Sequence, residues 1–319
     1  MSDSISYPPK AVERSRWIRS LRGEKHDIDP QRPYAYLWEE ESDRQGSSIS
    51  VSTLFLTNRE GPYTCLMCDL WKNTLDQTAE PGAIPEQIRF ALSQLPAAKQ
   101  IKLYNAGSFF DPSAIPEADY EEIAKLLKGF ERVIVECHPK FLGDRAIRFQ
   151  GLISGKLEVA IGLETAHEPT LALLNKGITL NDFVEATEFL RIHEMLLRVF
   201  ILLRPPFQDE AMGIDQALHS VKIATDCGAE TCCIIPTRGG NGALERLALS
   251  GDFTPPKIRS LEYVLQESLR MYSIRTFADT WDLEKFYDCE CSSRRSARIR
   301  EMNRTQMVQL PIHCDECSP

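Results

Sequence analysis

Six of the ten cysteines lie in three close pairs, and closely spaced thiols are common ligands of zinc and of iron–sulfur clusters. The pairs are a CxxC after an apolar run, a CxC, and a CxxC near the C-terminus: Cys65 and Cys68, Cys289 and Cys291, and Cys314 and Cys317. The remaining four lie in or beside apolar runs and are predicted to be small buried apolar groups: Cys137, Cys227, Cys232 and Cys233.

The first pair stands in the loop GPYTCLMC, which follows the apolar run VSTLFL closely. Gly61 precedes Cys65 by four positions, so a cysteine there would complete the spacing CxxxCxxC. Glycine has no side chain and offers a metal no ligand. The residues alone leave two interpretations open: a metal-cluster loop that lacks one ligand, or a two-cysteine turn that holds no cluster.

The elements that must position these residues are visible as apolar runs that alternate with amphipathic segments from about residue 50 onward. The runs are nearly continuously apolar, as in strands buried on both faces, and span 51–57, 101–105, 132–136, 157–164, 197–203 and 231–236. Helices are predicted near 84–95, 117–129, 180–194, 209–227 and 257–274. Because strands joined by crossover helices run parallel, the pattern predicts an α/β fold, either an open doubly wound sheet or a partial barrel.

In both folds ligands bind at the carboxyl ends of the strands, so the loops after the strands are the candidate site. The first strand leads into the cysteine loop. The later strands carry polar or glycine-rich segments: Asn105, Gly107 and Ser108 in YNAGSFFDP, Glu136 in VECHP, Glu164 in GLET, Arg198 and Arg204 in LRVFILLRPPF, and the loop IIPTRGGNG. Their convergence on one edge predicts a binding site there.

The composition limits the class of protein. The chain has 319 residues and a net charge of −9, which suits one large domain with appendages or two domains and argues against broad electrostatic binding of nucleic acid. The N-terminus lacks an apolar signal core, and no apolar run approaches the ~20 residues that span a bilayer. We therefore expect a cytoplasmic protein without membrane contact, with an N-terminal extension (1–46), a main domain (47–285) and a cysteine-rich tail (286–319).

Several motifs, taken in order, resemble the radical S-adenosylmethionine enzymes over roughly residues 50–285, in the branch of the Elongator catalytic subunit and the radical subunit of archaeosine synthase. They are YNAGSFFDPSAIP, VIVECHPKF, LEVAIGLETAHEPTLALLNKGITLNDFVEA and ILLRPPF. The resemblance implies a partial (β/α)6 barrel, a [4Fe–4S] cluster held by three thiolates, and S-adenosylmethionine chelated to the open iron. It also implies a 5′-deoxyadenosyl radical, an electron donor such as a flavodoxin or ferredoxin, and a nucleoside or tRNA as the substrate class.

The same resemblance assigns roles to individual positions. Cys65 and Cys68 match the second and third cluster ligands, and Gly61 takes the place of the first. The positions matched to S-adenosylmethionine contacts are Met67, Ile235 and Pro236 beside the adenine, Asn105, Gly107 and Ser108 near the methionine amino group, and Glu164 and Arg198 near the ribose and carboxylate. No residue is assigned to catalysis.

The glycine at position 61 leads to two alternative functional predictions. With two thiolates in place of three, we expect severely reduced radical activity in this chain, although its family-level function is radical S-adenosylmethionine chemistry. The alternative is a non-catalytic barrel that binds a nucleotide-like ligand or a partner protein and holds a structural zinc in the tail.

The four tail cysteines suit a tetrahedral Zn²⁺ ion or an auxiliary iron–sulfur cluster, and two unrelated thiol pairs on a frayed tail are a third interpretation. The short spacers fit zinc, whereas the family context favours a second cluster. The basic stretch RRSARIREMNR between the pairs is expected to form an amphipathic helix. Its arginines either contact a phosphate-bearing substrate such as tRNA or form a solvated face.

Overall fold

A computed structural model describes residues 6–317 and shows one curved eight-stranded sheet with helices against it. The strands are β1 (Ala35–Ser42), β2 (Ser48–Leu56), β3 (Asn58–Arg59), β4 (Thr74–Leu75), β5 (Gln100–Asn105), β6 (Arg132–Glu136), β7 (Lys156–Glu164), β8 (Leu196–Leu203), β9 (Thr231–Pro236) and β10 (Arg275–Ala278). The helices are α1 (Ala11–Ser20), α2 (Ala83–Gln94), α3 (Tyr120–Leu126), α4 (Asp144–Leu152), α5 (Glu168–Leu173), α6 (Leu180–Ile192), α7 (Glu210–Asp226), α8 (Ala243–Ser250), α9 (Ile258–Met271) and α10 (Ser292–Thr305).

The strand order in the main sheet is β1-β2-β5-β6-β7-β8-β9-β10, and β3 pairs with β4 separately. Strand β1 is antiparallel to β2, whereas the other neighbours in the main sheet are parallel. All six predicted strands and all five predicted helices are present, so the predicted α/β partial barrel is confirmed. Among the helices of residues 6–317, none is long and apolar enough to cross a membrane.

The two faces of the sheet differ because side chains alternate along a strand. In β7, Leu157, Val159, Ile161 and Leu163 belong to the main apolar core, in which the strands pack against the helices. The residues between them therefore face the inside of the curved sheet, and one of these is the fully buried Glu158. The barrel interior is thus free to carry polar side chains while the helix-facing side holds the fold together.

A layer of buried charges fills the barrel interior near the amino ends of the strands. Arg198 donates from Nε to Glu158 (2.7 Å) and from both terminal nitrogens to Glu41 (2.8 Å each). Lys102 lies 2.6 Å from the Glu41 carboxylate. Although burial by itself raises the pKa of the Glu41 carboxyl, Arg198 and Lys102 lower that pKa well below its usual value. The layer therefore stays ionised as a mutually paired network.

Helix α10 covers the outer edge of β10. The Asn303 side chain accepts a hydrogen bond from the Ala278 N–H (2.9 Å) and donates one to the Ala278 carbonyl (2.8 Å). Gln306 pairs in the same way with the N–H (2.9 Å) and carbonyl (3.1 Å) of Thr276. These two amides occupy the positions of a next strand, so the edge does not stay open.

The same helix reaches the opposite edge of the sheet, where the Ser42 hydroxyl of β1 donates to the Arg304 carbonyl. Helix α10 therefore bridges the seam between β1 and β10. Strand β1 comes from the segment predicted as an N-terminal extension, and α10 comes from the segment predicted as a tail. Both segments are in contact with the central sheet.

Candidate functional site at the carboxyl ends of the strands

The cysteine loop follows β2 and β3 and is bonded to other loops at the carboxyl ends of the strands. The Leu66 N–H donates to the Leu174 carbonyl (2.9 Å), and Asn241 donates to the Leu66 carbonyl (2.6 Å). Asn175 donates to the Thr64 carbonyl (2.8 Å). These bonds join the cysteine loop to the loops after α5 and β9, so the backbone at the barrel mouth is held from two sides.

Helix α1 supports the cysteine loop from behind. Trp17 and Ile18 pack with Leu66 in a second apolar cluster, separate from the main core. Arg22, just past the helix, makes two hydrogen bonds to Glu60 (3.0 and 2.6 Å). The N-terminal segment therefore positions the loop that carries the thiols.

Cys65 and Cys68 are half-buried free thiols. Burial raises the pKa of Cys65 to about 11, although the nearby Lys176 ammonium acts in the lowering direction. Burial also raises the pKa of Cys68 to about 12, and the Cys65 thiolate adds to this rise. Without a metal both thiols are therefore protonated at neutral pH, and binding a metal requires both to release their protons.

Gly61 lies with its backbone against Gly107 of the loop after β5. A Cβ built on Gly61 would stand 3.2 Å from the Gly107 Cα, and among the described residues no other non-adjacent one lies within 4 Å of it. Gly107 has a φ of +125°, a conformation that favours glycine. Position 61 can therefore accept a β-carbon if Gly107 moves by a few tenths of an ångström.

The residues present do not complete the ligand set of a [4Fe–4S] cluster that is held by three thiolates. Cys65 and Cys68 supply two, and the side chains that follow β6 are engaged elsewhere. The Cys137 thiol contacts the Ser108 hydroxyl (3.4 Å) and the His138 carbonyl (3.2 Å). The His138 ring is stacked on Tyr63, with centroids 3.9 Å apart. The loop fits such a cluster only with a third ligand that this chain lacks.

Glu164 ends β7 in a strained conformation and forms an ion pair at the mouth. Its φ is +64°, and the pairing of β7 with β8 is irregular between Gly162 and Glu164. Its Oε1 lies 2.5 Å from the Lys176 Nζ, and the two residues are only 7% and 9% exposed. A Cβ on Gly162 would stand 2.1 Å from Glu164 Oε1 and 2.2 Å from Lys176 Nζ. The pair therefore lies directly over the glycine, which leaves space for it.

Sequence reasoning missed Lys176. It lies between helices α5 and α6, whereas the sequence analysis considered the loops that directly follow strands. The signal available was its place in LLNKGIT, within the longest motif of the family resemblance. The segment that carries Lys176 is bonded to the cysteine loop on both sides of Cys65, through Asn175 to the Thr64 carbonyl (2.8 Å) and through the Leu174 carbonyl to the Leu66 N–H (2.9 Å).

The other strand-end residues have different surroundings. Asn105 is 1% exposed, and neither polar atom of its amide has a hydrogen-bond partner among residues 6–317. Ser108 instead accepts a hydrogen bond from the His138 N–H (2.8 Å) and so holds the loop after β6. Because buried amides are rarely left unpaired, Asn105 is the member of this segment whose hydrogen bonding residues 6–317 leave open.

Met67 and Ile235, the positions predicted beside the adenine, both pack against the second apolar cluster. Both side chains are partly buried, and the cluster includes Leu66. Pro236 is buried at the end of β9. The structure therefore brings the cysteine loop and the carboxyl end of β9 together.

Arg198 is a correction to the predicted site. It is the third residue of β8 and lies near the amino end of that strand, away from Glu164 at the carboxyl end of β7. Its guanidinium is already occupied by Glu41 and Glu158 in the buried charged layer. Arg198 lies inside a strand, and its position in the motif does not indicate whether its side chain lies near the carboxyl end or the amino end of the barrel.

Glu136, at the end of β6, provides a test by pH. Burial raises the pKa of its carboxyl to about 8, although Lys176 acts in the lowering direction. Between the usual glutamate value and pH 8 the native chain therefore holds a proton that the unfolded chain has lost, so stability decreases as pH rises through this window. We expect Glu136→Gln to have a higher Tm than the parent at pH 8 and a smaller change in Tm between pH 5 and 8.

The matched control in this thermal-denaturation series is Glu131→Gln, because Glu131 is exposed and directly precedes β6. It should follow the parent at every pH. A parent Tm that stays constant or rises from pH 5 to 8 relative to Glu136→Gln would contradict the raised pKa of the Glu136 carboxyl.

The tail cysteines form a compact group. Cys289 Sγ lies 3.5 Å from Cys314 Sγ, and Cys291 Sγ lies 3.2 Å from Cys317 Sγ. None of these four described cysteines forms a disulfide, and their sulfurs lie within 4.8 Å of one another. The thiol pairs are thus one group that could hold a metal, and not two unrelated pairs.

The arginines between the tail cysteines include two that are neither solvated nor open to a phosphate. Arg295 and Arg298 are each 7% exposed, and both form ion pairs with Glu262 of α9. Helix α10 is present as expected, but these two side chains join it to α9. The two predicted roles, contact with a phosphate and a solvated face, are therefore wrong for Arg295 and Arg298, because α10 packs these side chains against α9.

The sequence is similar to archaeal proteins, although no family model matches it. An uncharacterised protein of Methanocaldococcus jannaschii is 22% identical over 312 residues, which cover 90% of this chain and 85% of that protein. Archaeosine synthase subunit beta is 26% identical over 216 residues in Methanosarcina acetivorans and 28% identical over 211 residues in Thermococcus kodakarensis. These matches cover 64% and 63% of this chain but only 61% and 65% of the two subunits, so the chain spans less than two thirds of either.

Solved structures show the same fold. Elp3 of Methanocaldococcus infernus superposes with a TM-score of 0.52 at 14% identity, covering 67% of this chain and 58% of that chain. A radical S-adenosylmethionine methyltransferase of Sphaerobacter thermophilus also gives a TM-score of 0.52 at 14% identity, covering 85% and 82%. At this level of identity the likeness is one of fold. The chain therefore has the partial-barrel fold of the radical S-adenosylmethionine enzymes and resembles the branch that includes Elp3 and archaeosine synthase subunit beta.

Proposed function

We propose that this chain is a radical S-adenosylmethionine enzyme whose cofactor site is the barrel mouth, and that Gly61 leaves its cluster loop one ligand short. The observation that carries the proposal is that the segment holding Lys176, which pairs with Glu164, is hydrogen-bonded to the CxxC loop through Asn175 to Thr64 (2.8 Å) and Leu66 to Leu174 (2.9 Å). The fold and the sequence similarity support this reading. In this family the complete cluster supplies the electron that cleaves S-adenosylmethionine.

The mouth has suitable groups for the methionine part of S-adenosylmethionine, which carries one carboxylate and one ammonium group. The buried Lys176 cation can bind the carboxylate, and the Glu164 carboxylate can bind the ammonium group, so the ligand exchanges partners with an existing ion pair. The Asn105 amide, which has no partner within residues 6–317, offers further hydrogen bonds. The apolar surface around Met67 and Ile235 suits the adenine.

We propose a nucleoside or a nucleotide of tRNA as the substrate, on the basis of the similarity to archaeosine synthase subunit beta. Three aromatic side chains of the sheet support a planar substrate: Tyr104 has edge contacts with Phe55 (6.0 Å between centroids) and Phe200 (5.9 Å). All three are half-buried, and aromatic faces of this kind pack well on a base. A flavodoxin or ferredoxin is the proposed electron donor.

The first test is anaerobic reconstitution of the chain, followed by iron counting, EPR spectroscopy and calorimetric titration with S-adenosylmethionine. We expect substoichiometric iron but measurable binding of S-adenosylmethionine. Lys176→Met should weaken this binding by at least about tenfold, since it removes a charge-assisted contact. The exposed Lys140→Met, in the loop after β6, is the control and should bind as the parent does.

Two results would contradict the proposal. A near-stoichiometric [4Fe–4S] signal that shifts when S-adenosylmethionine is added would show that Gly61 does not impair the loop. Binding that is absent, or that is equal in the parent and Lys176→Met, would show that the mouth is not the cofactor site.

The second candidate function is a non-catalytic barrel that binds a nucleotide-like ligand or a partner protein. Gly61 favours this second function, because a barrel that does not use a cluster does not need a third thiolate in its cysteine loop. Binding of S-adenosylmethionine without any 5′-deoxyadenosine, even after the third thiolate is restored, would support this alternative.

A further inference from the structure

The tail cysteines form a site whose dimensions distinguish between two kinds of metal centre. Their four sulfurs lie within 4.8 Å of one another. Four sulfurs around one Zn²⁺ ion, each at about 2.3 Å, are separated by roughly 3.8 Å. In a [4Fe–4S] cluster each cysteine binds a different iron atom, so the cysteine sulfurs stand roughly 6 Å apart. The group is therefore the right size for one ion and too small for a cube.

We propose that Cys289, Cys291, Cys314 and Cys317 bind one Zn²⁺ ion, and that this ion is a structural clasp that holds α10 across the seam of the sheet. Thiolate sites with tetrahedral geometry select zinc or iron, and zinc binds more tightly than Fe²⁺ at a given set of ligands. On binding, the four thiols release their protons and each sulfur donates one electron pair to the ion. No oxidation or reduction takes place.

The surroundings stabilise the negative charge that four thiolates and one Zn²⁺ ion would carry. Arg295 points Nε at Cys291 Sγ (3.2 Å) and Nη2 at Cys317 Sγ (3.5 Å). The same guanidinium is paired with Glu262 of α9, which fixes its orientation. Such second-shell hydrogen bonds orient metal ligands and tune the site.

The position of the ligands in the chain indicates what the ion does. Cys289 and Cys291 directly precede α10, and Cys314 and Cys317 follow it, so one ion closes a loop that contains the whole helix. Arg298 of α10 holds the returning segment by donating to the carbonyls of Gln309 (2.6 Å) and Leu310 (2.7 Å).

Helix α10 in turn supplies the amides that cover the edge of β10. All four positions around the ion are filled by protein sulfur, which is the arrangement of a structural site and not of a catalytic one. Loss of the ion is therefore expected to loosen α10 and to expose the β10 edge. This inference is independent of the cluster at the barrel mouth.

The test compares the full chain with Cys314→Ser/Cys317→Ser by elemental analysis. We expect the parent to contain about one more zinc per chain than the double variant. The half-buried Cys227→Ser, at the end of α7, is the control and should keep its zinc. A second measurement does not depend on a variant folding: Co²⁺ exchanged into the parent should give the strong visible absorption of a tetrahedral cobalt–thiolate site.

Hydrogen exchange tests the clasp. Removing zinc from the parent with a chelator should speed amide exchange in β10 (Arg275–Ala278) and lower the Tm by roughly 5–10 °C. Several irons in place of the single zinc, with visible charge-transfer absorption that the double variant loses, would overturn the metal assignment, as would a parent without tail metal. Zinc loss that leaves β10 exchange and the Tm unchanged would overturn the clasp.

Discussion

Replacing Gly61 with cysteine is expected to raise the iron bound after anaerobic reconstitution to about four per chain at the barrel mouth, the content of one [4Fe–4S] cluster. The rate of 5′-deoxyadenosine release should rise by about 100-fold or more, because loss of a metal ligand costs at least as much as loss of a supporting second-shell partner. The reason is local: Cys65 and Cys68 are already positioned, and the missing part is one thiolate.

The backbone accepts this change. Among the non-adjacent residues that the structure describes, a Cβ at position 61 meets only the Gly107 Cα, at 3.2 Å, so Gly107 needs to move by a few tenths of an ångström. Iron content, the EPR signal before and after addition of S-adenosylmethionine, and chromatographic detection of 5′-deoxyadenosine are the measurements.

Gly61→Ser is the matched control, since it adds the same β-carbon with an oxygen that is a poor iron ligand. We expect it to behave like the parent. Equal recovery in Gly61→Ser and Gly61→Cys would show that the effect comes from the backbone and not from the thiolate. A complete cluster without 5′-deoxyadenosine would instead favour the binding module.

Arg198→Met is expected to lower the free energy of unfolding by about 3–5 kcal/mol, the usual cost of removing one partner from a buried ion network. Arg198 is 1% exposed and serves two carboxylates, those of Glu41 (9% exposed) and Glu158 (0%). Lys102 still contacts Glu41 after the substitution, whereas Glu158 loses its fully buried partner and keeps Arg132 (2.6 Å). Urea denaturation gives the change in free energy.

Arg191→Met is the control for the loss of an arginine, because its pair with Glu188 is on the surface, with the two side chains 70% and 51% exposed. It should leave the free energy of unfolding close to that of the parent, because exposed ion pairs contribute little. Arg198→Lys keeps the positive charge and should fall between the parent and Arg198→Met. A loss below about 1 kcal/mol for Arg198→Met would contradict the buried network.

The same variants separate a structural arginine from a cofactor ligand. Folded Arg198→Lys should bind S-adenosylmethionine as the parent does, since the residue lies away from the mouth. A large loss of affinity with little loss of stability would return Arg198 to the cofactor site.

Much of the fold could be predicted from the sequence because parallel strands buried on both faces leave a simple signature. Each is a short apolar run, and each crossover helix has one apolar stripe. Strand β1 has no such signature, since its residues 39–41 are glutamates and one of them is an interior ion-pair partner. Strand β10 has only four residues, too few to show a period.

The ligands of the candidate metal sites were also readable from the sequence, because thiol type and close spacing are local properties. The absence of a thiol at position 61 was also visible in the sequence, because glycine provides no metal ligand in any fold. The partners of charged side chains are not local. Arg198 is separated from Glu41 by 157 positions and from Glu158 by 40, so no motif could show that its charge was already paired.

The sequence by itself therefore determined the class of fold, the six thiols and the absent seventh ligand. Tertiary packing was needed to join the segment of Lys176 to the cysteine loop, to place Arg198 near the amino ends of the strands, and to bring two distant thiol pairs within the span of a single ion. The physical reason is that ligand identity belongs to the residue, whereas distance, burial and charge pairing arise only when segments far apart in the chain pack together.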